Sequence, residues 1–195
     1  MRRAAHGVRH AERGLQSADE ESGVQEVMVF HPEFEFFQNS THDSMGLDCA
    51  SCHMPQTASE DGTEFTSHDA SGSPLENPDA LAVCLSCHES QGIESADAMV
   101  EMVRGKQAEA ARAEQELTAD LEALKGAIAA KASAGASDAQ LESARDAYTK
   151  AAYYLYYVTG RYADDGVKVA HNPVGTFDYL SRADKLVADA MASLK

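Results

Sequence analysis

The sequence predicts a mainly α fold in which a loop-rich segment precedes a long antiparallel helical hairpin and a C-terminal helix. All 4 Cys and 7 of the 8 His lie within residues 1–94, where Pro and Gly recur often enough to interrupt any long element. Residues 95–195 instead carry apolar side chains at helical spacing over long stretches. We therefore divide the chain into an unplaced N-terminal extension over residues 1–30, a Cys- and His-bearing segment over residues 31–94 and a helical segment over residues 95–195.

Charge and hydropathy exclude two classes of partner. The chain has 195 residues, and its 16 Lys and Arg against 32 Asp and Glu give a formal charge of −16. Nucleic-acid binding and anionic membrane surfaces normally need a basic face, and no apolar run approaches the ~18–20 residues of a membrane span. Arg2 and Arg3 have no apolar stretch behind them, so we expect that export information was removed or that the chain begins partway through a longer product.

Apolar side chains are sparse in the Cys- and His-bearing segment. The main candidates for its core lie within the segment or, in the case of Phe30, directly before it. They are Phe30, Phe34, Phe36, Phe37, Leu47, Phe65, Leu75, Leu81, Val83 and Leu85. This set is thin for a self-sufficient core, because small domains already bury little of their surface. We therefore expect a non-protein group to fill the middle of this segment.

The first two helices of the helical segment form the predicted hairpin. The first covers about residues 95–134 and ends at Gly135, because glycine tolerates the left-handed conformation that closes many helices. A capping box over Ser137–Gln140 starts the second helix, which runs to Gly160. The short connection between them makes the two helices antiparallel neighbours.

A third helix is predicted from near Thr176 to the C-terminus. Its apolar positions recur at helical spacing: Phe177, Leu180, Val187, Met191 and Leu194. Between the second and third helices, an irregular stretch over Arg161–Gly175 contains His171. This is the one histidine that residues 95–195 offer as a ligand.

One motif occurs twice and carries the chemistry, as Cys49-Ala50-Ser51-Cys52-His53 and as Cys84-Leu85-Ser86-Cys87-His88. The C-x-x-C-H pattern is the attachment signature of a c-type haem. Two thiols on one turn reach the two vinyl groups of a porphyrin and form thioethers, and the following imidazole binds the iron. We therefore predict two covalently attached haems with His53 and His88 as proximal ligands, and no disulfide.

Two other uses of paired cysteines fit less well. A structural zinc site would place its two C-x-x-C pairs about 15–20 residues apart, and these pairs are further apart and each is followed directly by a histidine. A redox dithiol would normally show a single C-x-x-C near a βαβ pattern, which the sequence lacks. The spacing therefore favours haem attachment.

A haem that transfers electrons needs a second strong axial ligand, usually His or Met. The available histidines are His6, His10, His31, His42, His68 and His171. His42 precedes the first motif by a short Gly-containing stretch, and His68 lies between the two motifs. Met54 directly follows His53 and cannot reach the far side of its own haem. From the residues alone, the choice of distal ligands stays open.

A series of further motifs runs in order from about residue 31 to the C-terminus: His31–Phe37, Thr41–His42, Cys49–Pro55, Thr66–His68, Ser73–Pro78, Cys84–His88, an Ala-rich helical hairpin and His171–Pro173. Together they resemble the ammonia-forming pentahaem cytochrome c nitrite reductases. The match covers most of this chain and corresponds to only the C-terminal part of a family member. The resemblance implies that His171 is the distal ligand of the haem on the first C-x-x-C-H motif and that His42 is the distal ligand of the haem on the second.

The same resemblance gives roles to two further histidines. The counterpart of His68 ligates a haem attached further upstream, and the counterpart of His31 stands over the catalytic haem and helps to bind and protonate nitrite. The family's catalytic C-x-x-C-K motif and its other upstream motifs have no counterpart here. Met28 and Phe30 occupy the positions of a Lys and a Gln that help to hold calcium in the family, so a calcium site is doubtful in this chain.

Three hypotheses follow for the function. The first is an electron-carrying dihaem cytochrome in an extracytoplasmic or periplasmic location, with a redox protein as donor or acceptor. The second is a part of an ammonia-forming nitrite reductase whose catalytic haem lies on another chain or a missing N-terminal region. The third is a haem-bearing structural unit of a chain of protomers. The resemblance also implies pairing with another multihaem chain, or homo-oligomers formed through the long helices.

Overall fold

The computed structural model describes residues 15–29, 32–70, 72–159 and 168–195. Two antiparallel strand pairs lie in the N-terminal half, β1 (Leu15–Ala18) with β2 (Gln25–Val27) and β3 (Gln56–Ala58) with β4 (Glu64–Thr66). The helices of the described residues are α1 (Glu33–Phe37), α2 (Thr41–Ser44), α3 (Cys49–His53), α4 (Pro78–His88), α5 (Ala96–Ser133), α6 (Asp138–Thr159) and α7 (Pro173–Ser193). Short 3₁₀ turns cover Pro74–Glu76, Glu89–Gln91 and Lys168–Ala170. The predicted mainly α fold is confirmed.

Helices α5 and α6 form the predicted hairpin. The Ser95 hydroxyl caps α5 by accepting a hydrogen bond from the Ala98 amide at 3.2 Å, and the chain turns at Gly135, where φ is 93°. At the start of α6, the side-chain oxygen of Gln140 accepts hydrogen bonds from the Ser137 amide and hydroxyl at 2.8 and 2.9 Å. The capping interaction therefore runs from Ser137 to Gln140, in keeping with the sequence signal.

Helix α7 begins at Pro173, three residues before the predicted start. Asn172 is its N-cap, because the Asn172 side chain accepts a hydrogen bond from the Gly175 amide at 2.8 Å. Pro173 suits the first helical position, where its fixed φ is helical and its missing N–H is not needed. The prediction of irregular chain over residues 173–175 was therefore wrong, and residues 161–167 of that stretch lie outside the described residues.

Helices α5, α6 and α7 pack as a three-helix bundle that holds most of the core. A groove lined by Ala139 and Ser143 of α6 and by Ala190 and Ser193 of α7 places the start of α6 beside the end of α7, so these two helices are antiparallel. The bundle interior includes Leu124, Ile128, Ala151, Leu155 and Ala183, each at most 1% exposed. None of the helices in the described part of the chain combines the length and the apolarity needed to cross a membrane.

The β1–β2 hairpin packs on the outside of this bundle. Val24 and Val27 are 0% and 1% exposed and belong to the bundle core. Three polar contacts fasten the hairpin: Arg145 Nε to the Ser22 carbonyl at 2.7 Å, Lys125 Nζ to Asp19 at 2.9 Å and Lys125 Nζ to Glu26 at 3.2 Å. Residues 15–29, which the sequence left unplaced, are thus tied to helices α5 and α6.

From residue 41 onward, the Cys- and His-bearing segment has almost no protein core. Between residues 41 and 98, residue 71 not being described, the buried residues are Pro55, Ala80 and Leu81. Large apolar side chains are instead left partly in solvent, as at Met45 (69% exposed) and Phe65 (49%). Polypeptide alone therefore does not fill the interior of this segment.

Candidate haem-binding sites

The first C-x-x-C-H motif forms helix α3, and the residue before it starts the helix. Asp48 is the N-cap, and its carboxylate accepts a hydrogen bond from the Ser51 amide at 2.8 Å. The Asp48 amide in turn donates to the Ser51 hydroxyl at 3.2 Å, which completes a capping box. Because residues three apart share a helix face, Cys49 and Cys52 lie on the same side of α3, and His53 is its last residue.

The second motif forms the C-terminal end of helix α4. Asn77 caps this helix by accepting hydrogen bonds from the Asp79 and Ala80 amides at 2.9 and 3.3 Å, and Pro78 occupies the first helical position. The helix ends at His88. Both motifs therefore present their two thiols and their histidine from one helical turn, as the attachment of haem c requires.

Each motif histidine faces a histidine from a distant part of the chain. The ring centroids of His53 and His171 are 6.2 Å apart, with an angle of 27° between the ring planes. The ring centroids of His42 and His88 are also 6.2 Å apart, with an angle of 64°. The fold thus brings together the same two pairs that the family resemblance implied from the sequence.

The separation within each pair suits two imidazoles on opposite sides of one metal. A metal–imidazole bond is about 2.0–2.1 Å long and the ring centroid lies about 1.1 Å beyond the nitrogen, so two such rings have centroids about 6.2–6.4 Å apart. Stacked aromatic rings without an atom between them could lie closer, from about 4.5 Å upward. The room between the rings of each pair therefore fits an iron atom.

A backbone hydrogen bond orients one of these histidines. His42, on helix α2, forms a hydrogen bond with the backbone of Ala170, in the 3₁₀ turn directly before His171. Such a bond to a carbonyl holds one ring nitrogen and leaves the other for a metal. The same turn of chain therefore contributes to both histidine pairs.

Burial shifts the pKa of three side chains at the candidate sites, namely His42, Cys52 and Cys84. Burial, and then the neighbouring His88, lower the pKa of His42 below its usual value, while the bond to Ala170 opposes this shift. Burial also raises the pKa of the Cys52 and Cys84 thiols, and proximity to Cys84 adds to the increase at Cys52. A neutral imidazole is the form that binds a metal, so the lowered pKa of His42 favours ligation.

A cavity of about 130 Å³ lies beside the first motif. Cys52 and His53 line it on one side, and Ser67 and Asp69 on another. His68 itself is exposed, and its ring belongs to neither histidine pair. The structure therefore places His68 on a loop next to the first motif, with its side chain facing solvent.

Other predicted site residues lie outside the described part of the chain. These are His31 and the two N-terminal histidines, His6 and His10. The predicted role of His31 at a catalytic haem thus stays a prediction. Among residues 15–29, 32–70, 72–159 and 168–195, no group of three or more His, Cys, Asp or Glu side chains is arranged to hold a metal ion.

Sequence reasoning missed three contributors to the sites. Asp48 and Asn172 are helix caps, and the patterns Asp-x-x-Ser at the start of α3 and Asn-Pro at the start of α7 are signals that could have identified them. Ala170 contributes through its backbone, and a backbone group leaves no side-chain signal in a sequence.

Comparisons with known proteins agree with these observations. A family model described as cytochrome c552 matches residues 11–195. The cytochrome c nitrite reductase subunit NrfA of Nitratidesulfovibrio vulgaris is 30% identical over 169 residues, which are 85% of this chain and 31% of that protein. Cytochrome c-552 of Porphyromonas gingivalis is 43% identical over 58 residues, which are 30% of this chain and 11% of that protein.

The fold also resembles a solved structure. The cytochrome c nitrite reductase of Desulfovibrio desulfuricans, whose catalytic subunit has two calcium sites, matches with a TM-score of 0.75 and 22% identity, over 89% of this chain and 35% of that one. The chain thus spans about a third of the length of the NrfA relative (31%) and of this structure. The resemblance to nitrite reductases that the sequence motifs indicated is confirmed.

Proposed function

Because the chain belongs to the cytochrome c552 family, we propose that it carries electrons through two haems c, each bound between two histidines. The observation that carries the proposal is the pair of imidazole separations, 6.2 Å in both cases. The His53–His171 pair and the His42–His88 pair each join distant parts of the chain and have the same separation. This separation suits a metal held between two imidazoles.

The residues available fit two such groups. Cys49 and Cys52 would hold one haem by thioether bonds, with His53 and His171 as its axial ligands. Cys84 and Cys87 would hold the second haem in the same way, with His88 and His42 as its ligands. The scarcity of buried side chains between residues 41 and 98 supports the same assignment, because a porphyrin would supply the missing apolar interior. When bound, each haem would supply an iron that takes up and releases one electron.

The arrangement favours electron transfer over catalysis at these two positions. Both axial positions of each iron would be taken by histidines of this chain, so neither leaves room for a substrate. The two motifs are also neighbours, since helices α3 and α4 are in contact and the Cys84 thiol is close enough to influence Cys52. Closely spaced motifs suit the passage of electrons from one site to the other. Attachment of haem c also implies an extracytoplasmic location.

The purified, haem-loaded chain tests the proposal. We expect two haems per chain, low-spin spectra in both oxidation states and no binding of carbon monoxide to the reduced protein, since binding needs an open axial position. His171→Ala and His42→Ala should each open one haem, so that carbon monoxide binds about half of the total. His68→Ala is the matched control and should leave the spectra unchanged. A high-spin haem in the unaltered chain, or turnover of nitrite by this chain alone, would contradict the proposal.

A second candidate is that the chain acts as part of an ammonia-forming nitrite reductase. It is favoured by the match to only 31% of the NrfA relative and by the exposed position of His68, which belongs to neither histidine pair. Its catalytic haem would come from another chain or from further sequence, and His31 would contribute to that site. Isolation from the native source should then recover a further multihaem polypeptide together with nitrite reductase activity, and recovery of this chain alone would count against it.

A third candidate is a haem-bearing structural unit in a chain of protomers. The exposed His68 is again the relevant observation, because it could ligate a haem of a neighbouring copy. In that case His68→Ala would reduce the size of the assembled protein, as measured by light scattering. An unchanged size would argue against this candidate.

A further inference from the structure

The side chain of Asn172 connects the site of His171 to the protein core. Its Nδ2 atom donates a hydrogen bond to the Phe36 carbonyl at 2.9 Å, and its Oδ1 atom accepts one from the Gly175 amide at 2.8 Å. Its backbone carbonyl accepts from the Thr176 amide and hydroxyl at 2.9 and 3.0 Å. Asn172 therefore joins the start of α7 to the helix α1 that ends at Phe37.

The residue at the far end of this connection is firmly held. Phe36 is 2% exposed and packs against two tyrosines of the bundle, with ring centroids 5.8 Å from Tyr157 and 6.2 Å from Tyr179. Close packing restrains this side chain, and the backbone of Phe36 is part of helix α1. The amide of Asn172 is therefore bonded to a carbonyl that has little freedom to move.

The peptide on the other side of Asn172 carries the histidine. His171 is the adjacent residue, and its ring centroid lies 6.2 Å from that of His53, with an angle of 27° between the ring planes. Its Nδ1 atom is buried. No regular element holds His171, since the 3₁₀ turn ends at Ala170 and α7 begins at Pro173. The residues on either side of His171 therefore contribute to the position of its ring.

We propose that Asn172 is a positioning residue that holds His171 at the distance from His53 at which the two imidazoles can share one iron. The proposal rests on the proposed function, and it adds a residue that acts without contacting the haem. Ligands supported by hydrogen-bonded neighbours keep their geometry more exactly than unsupported ones, and the loss of such support weakens metal binding. Loosening Asn172 should therefore open the haem on Cys49 and Cys52.

Gly175 lies three residues after Asn172 and close to its side chain, and it permits a test that leaves both His171 and Asn172 in the sequence. A Cβ atom added at Gly175 would lie 2.7 Å from Nδ2 and 2.8 Å from Cγ of Asn172, closer than non-bonded atoms approach one another. Gly175→Ala should therefore push the Asn172 side chain away from Phe36. Gly126→Ala is the matched control, because Gly126 also lies in a long helix and an added Cβ there meets nothing within 4 Å.

The haem-loaded chain is compared by carbon monoxide binding and by reduction potentials. Gly175→Ala should allow carbon monoxide to bind about half of the reduced haem and should shift one of the two potentials, whereas Gly126→Ala should behave as the unaltered chain. In a His171→Ala background, Gly175→Ala should add nothing, because the ligand it acts through is already gone. In a His42→Ala background, Gly175→Ala should also open the haem on Cys49 and Cys52, so that carbon monoxide binds both haems.

Asn172→Ser provides a second variant in case Gly175→Ala folds poorly. Serine retains a capping oxygen but is too short to reach the Phe36 carbonyl, so it should give the same partial opening of one haem. If both variants keep two low-spin haems, unchanged potentials and no carbon monoxide binding, the positioning role is wrong while the proposed function stands. If the unaltered chain itself binds carbon monoxide, the proposed function fails, and the positioning role fails with it.

Discussion

The Cys- and His-bearing segment and the helical segment build their interiors in different ways. In the bundle of α5, α6 and α7, apolar side chains meet at helical spacing, and Leu124 and Ile128 are completely buried. Between residues 41 and 98, the described residues bury only Pro55, Ala80 and Leu81. The bundle can therefore be held by its own side chains, whereas the other segment depends on groups that the polypeptide itself does not contain.

The largest test of this difference removes haem attachment altogether. Replacing the four motif cysteines by serine should leave α5, α6 and α7 folded and should leave α3 and α4 without fixed structure, because only the latter lack a core. Hydrogen exchange by mass spectrometry measures both regions in one sample. Amides of α3 and α4 should exchange at nearly the rate of unfolded chain, while those around Leu124 stay protected. If the amides of α3 and α4 stay protected in the cysteine-free variant, these helices do not depend on haem for their structure, and the difference between the two regions is contradicted.

The next test places the same substitution in both regions. Leu124→Ala creates a cavity in the bundle core and should lower the free energy of unfolding by about 2–5 kcal/mol, both with and without haem. Leu81, which is 7% exposed, belongs to the other region. Leu81→Ala should lower stability in the haem-loaded chain and should have no effect in the cysteine-free chain, where its surroundings are not ordered. An equal effect of Leu81→Ala in both forms, measured by denaturant titration, would contradict the expectation.

A smaller effect is expected where the β1–β2 hairpin meets the bundle. Arg145→Ala removes the bond from the guanidinium to the Ser22 carbonyl and should lower the stability of residues 15–29 by about 1 kcal/mol, since one partner is charged but part of the contact is open to solvent. Arg182→Ala is the matched control. It breaks an exposed pair with Asp178 and should change stability by less than about 0.5 kcal/mol. Hydrogen exchange of β2 distinguishes the two variants.

The smallest effect should appear as a dependence on pH. Hydrogen bonds from Ser22 and then from Lys125 hold the pKa of Asp19 well below its usual value of 3.8. A carboxylate whose pKa is lowered by folding stabilises the fold above its unfolded pKa and loses this contribution as the pH falls further. Protection of residues 15–29 should therefore begin to decline near pH 4 and continue to decline towards lower pH.

Two variants decide whether Asp19 causes that decline. Asp19→Asn should remove most of the pH dependence of the hairpin. Asp61, in the turn between β3 and β4, also has a lowered pKa, of about 2, because of hydrogen bonds from Ser59 and Thr63. Asp61→Asn should leave the hairpin unchanged, since it lies in the other region. If hydrogen exchange of the β1–β2 hairpin in the unaltered chain is the same at pH 5 and at pH 2.5, the proposed contribution of Asp19 is excluded.

The two regions also differ in how far a sequence can predict them. The ends of α5 and α6 follow from local signals, namely apolar spacing, Gly135 and the Ser137–Gln140 cap, and these were predicted to within a residue or two. The C-x-x-C-H motifs are equally local. Local signals of this kind act over one or two turns of chain, so they predict structure without knowledge of the rest of the fold.

Contacts between distant parts of the chain were harder to predict. Residue chemistry left the distal ligands open, and the pairing of His171 with His53 was suggested only by the family resemblance. Strands β1 to β4 have only three or four residues each, which is too few for a period of two to stand out. The early start of α7 was missed because Asn172 and Pro173 were read as loop residues rather than as a cap and a first helical position.

The length of α5 has a mechanical consequence. Its 38 residues span about 57 Å, whereas the 22 residues of α6 span about 33 Å, so α5 projects about 24 Å beyond its partner. This projection includes Met99 and Gly105, and α5 is in contact with α4, which carries the second C-x-x-C-H motif. One continuous helix therefore joins the bundle to the part of the chain that carries the second C-x-x-C-H motif. Gly105 has the lowest helix propensity of the residues in this projection, so the helix is easiest to distort there.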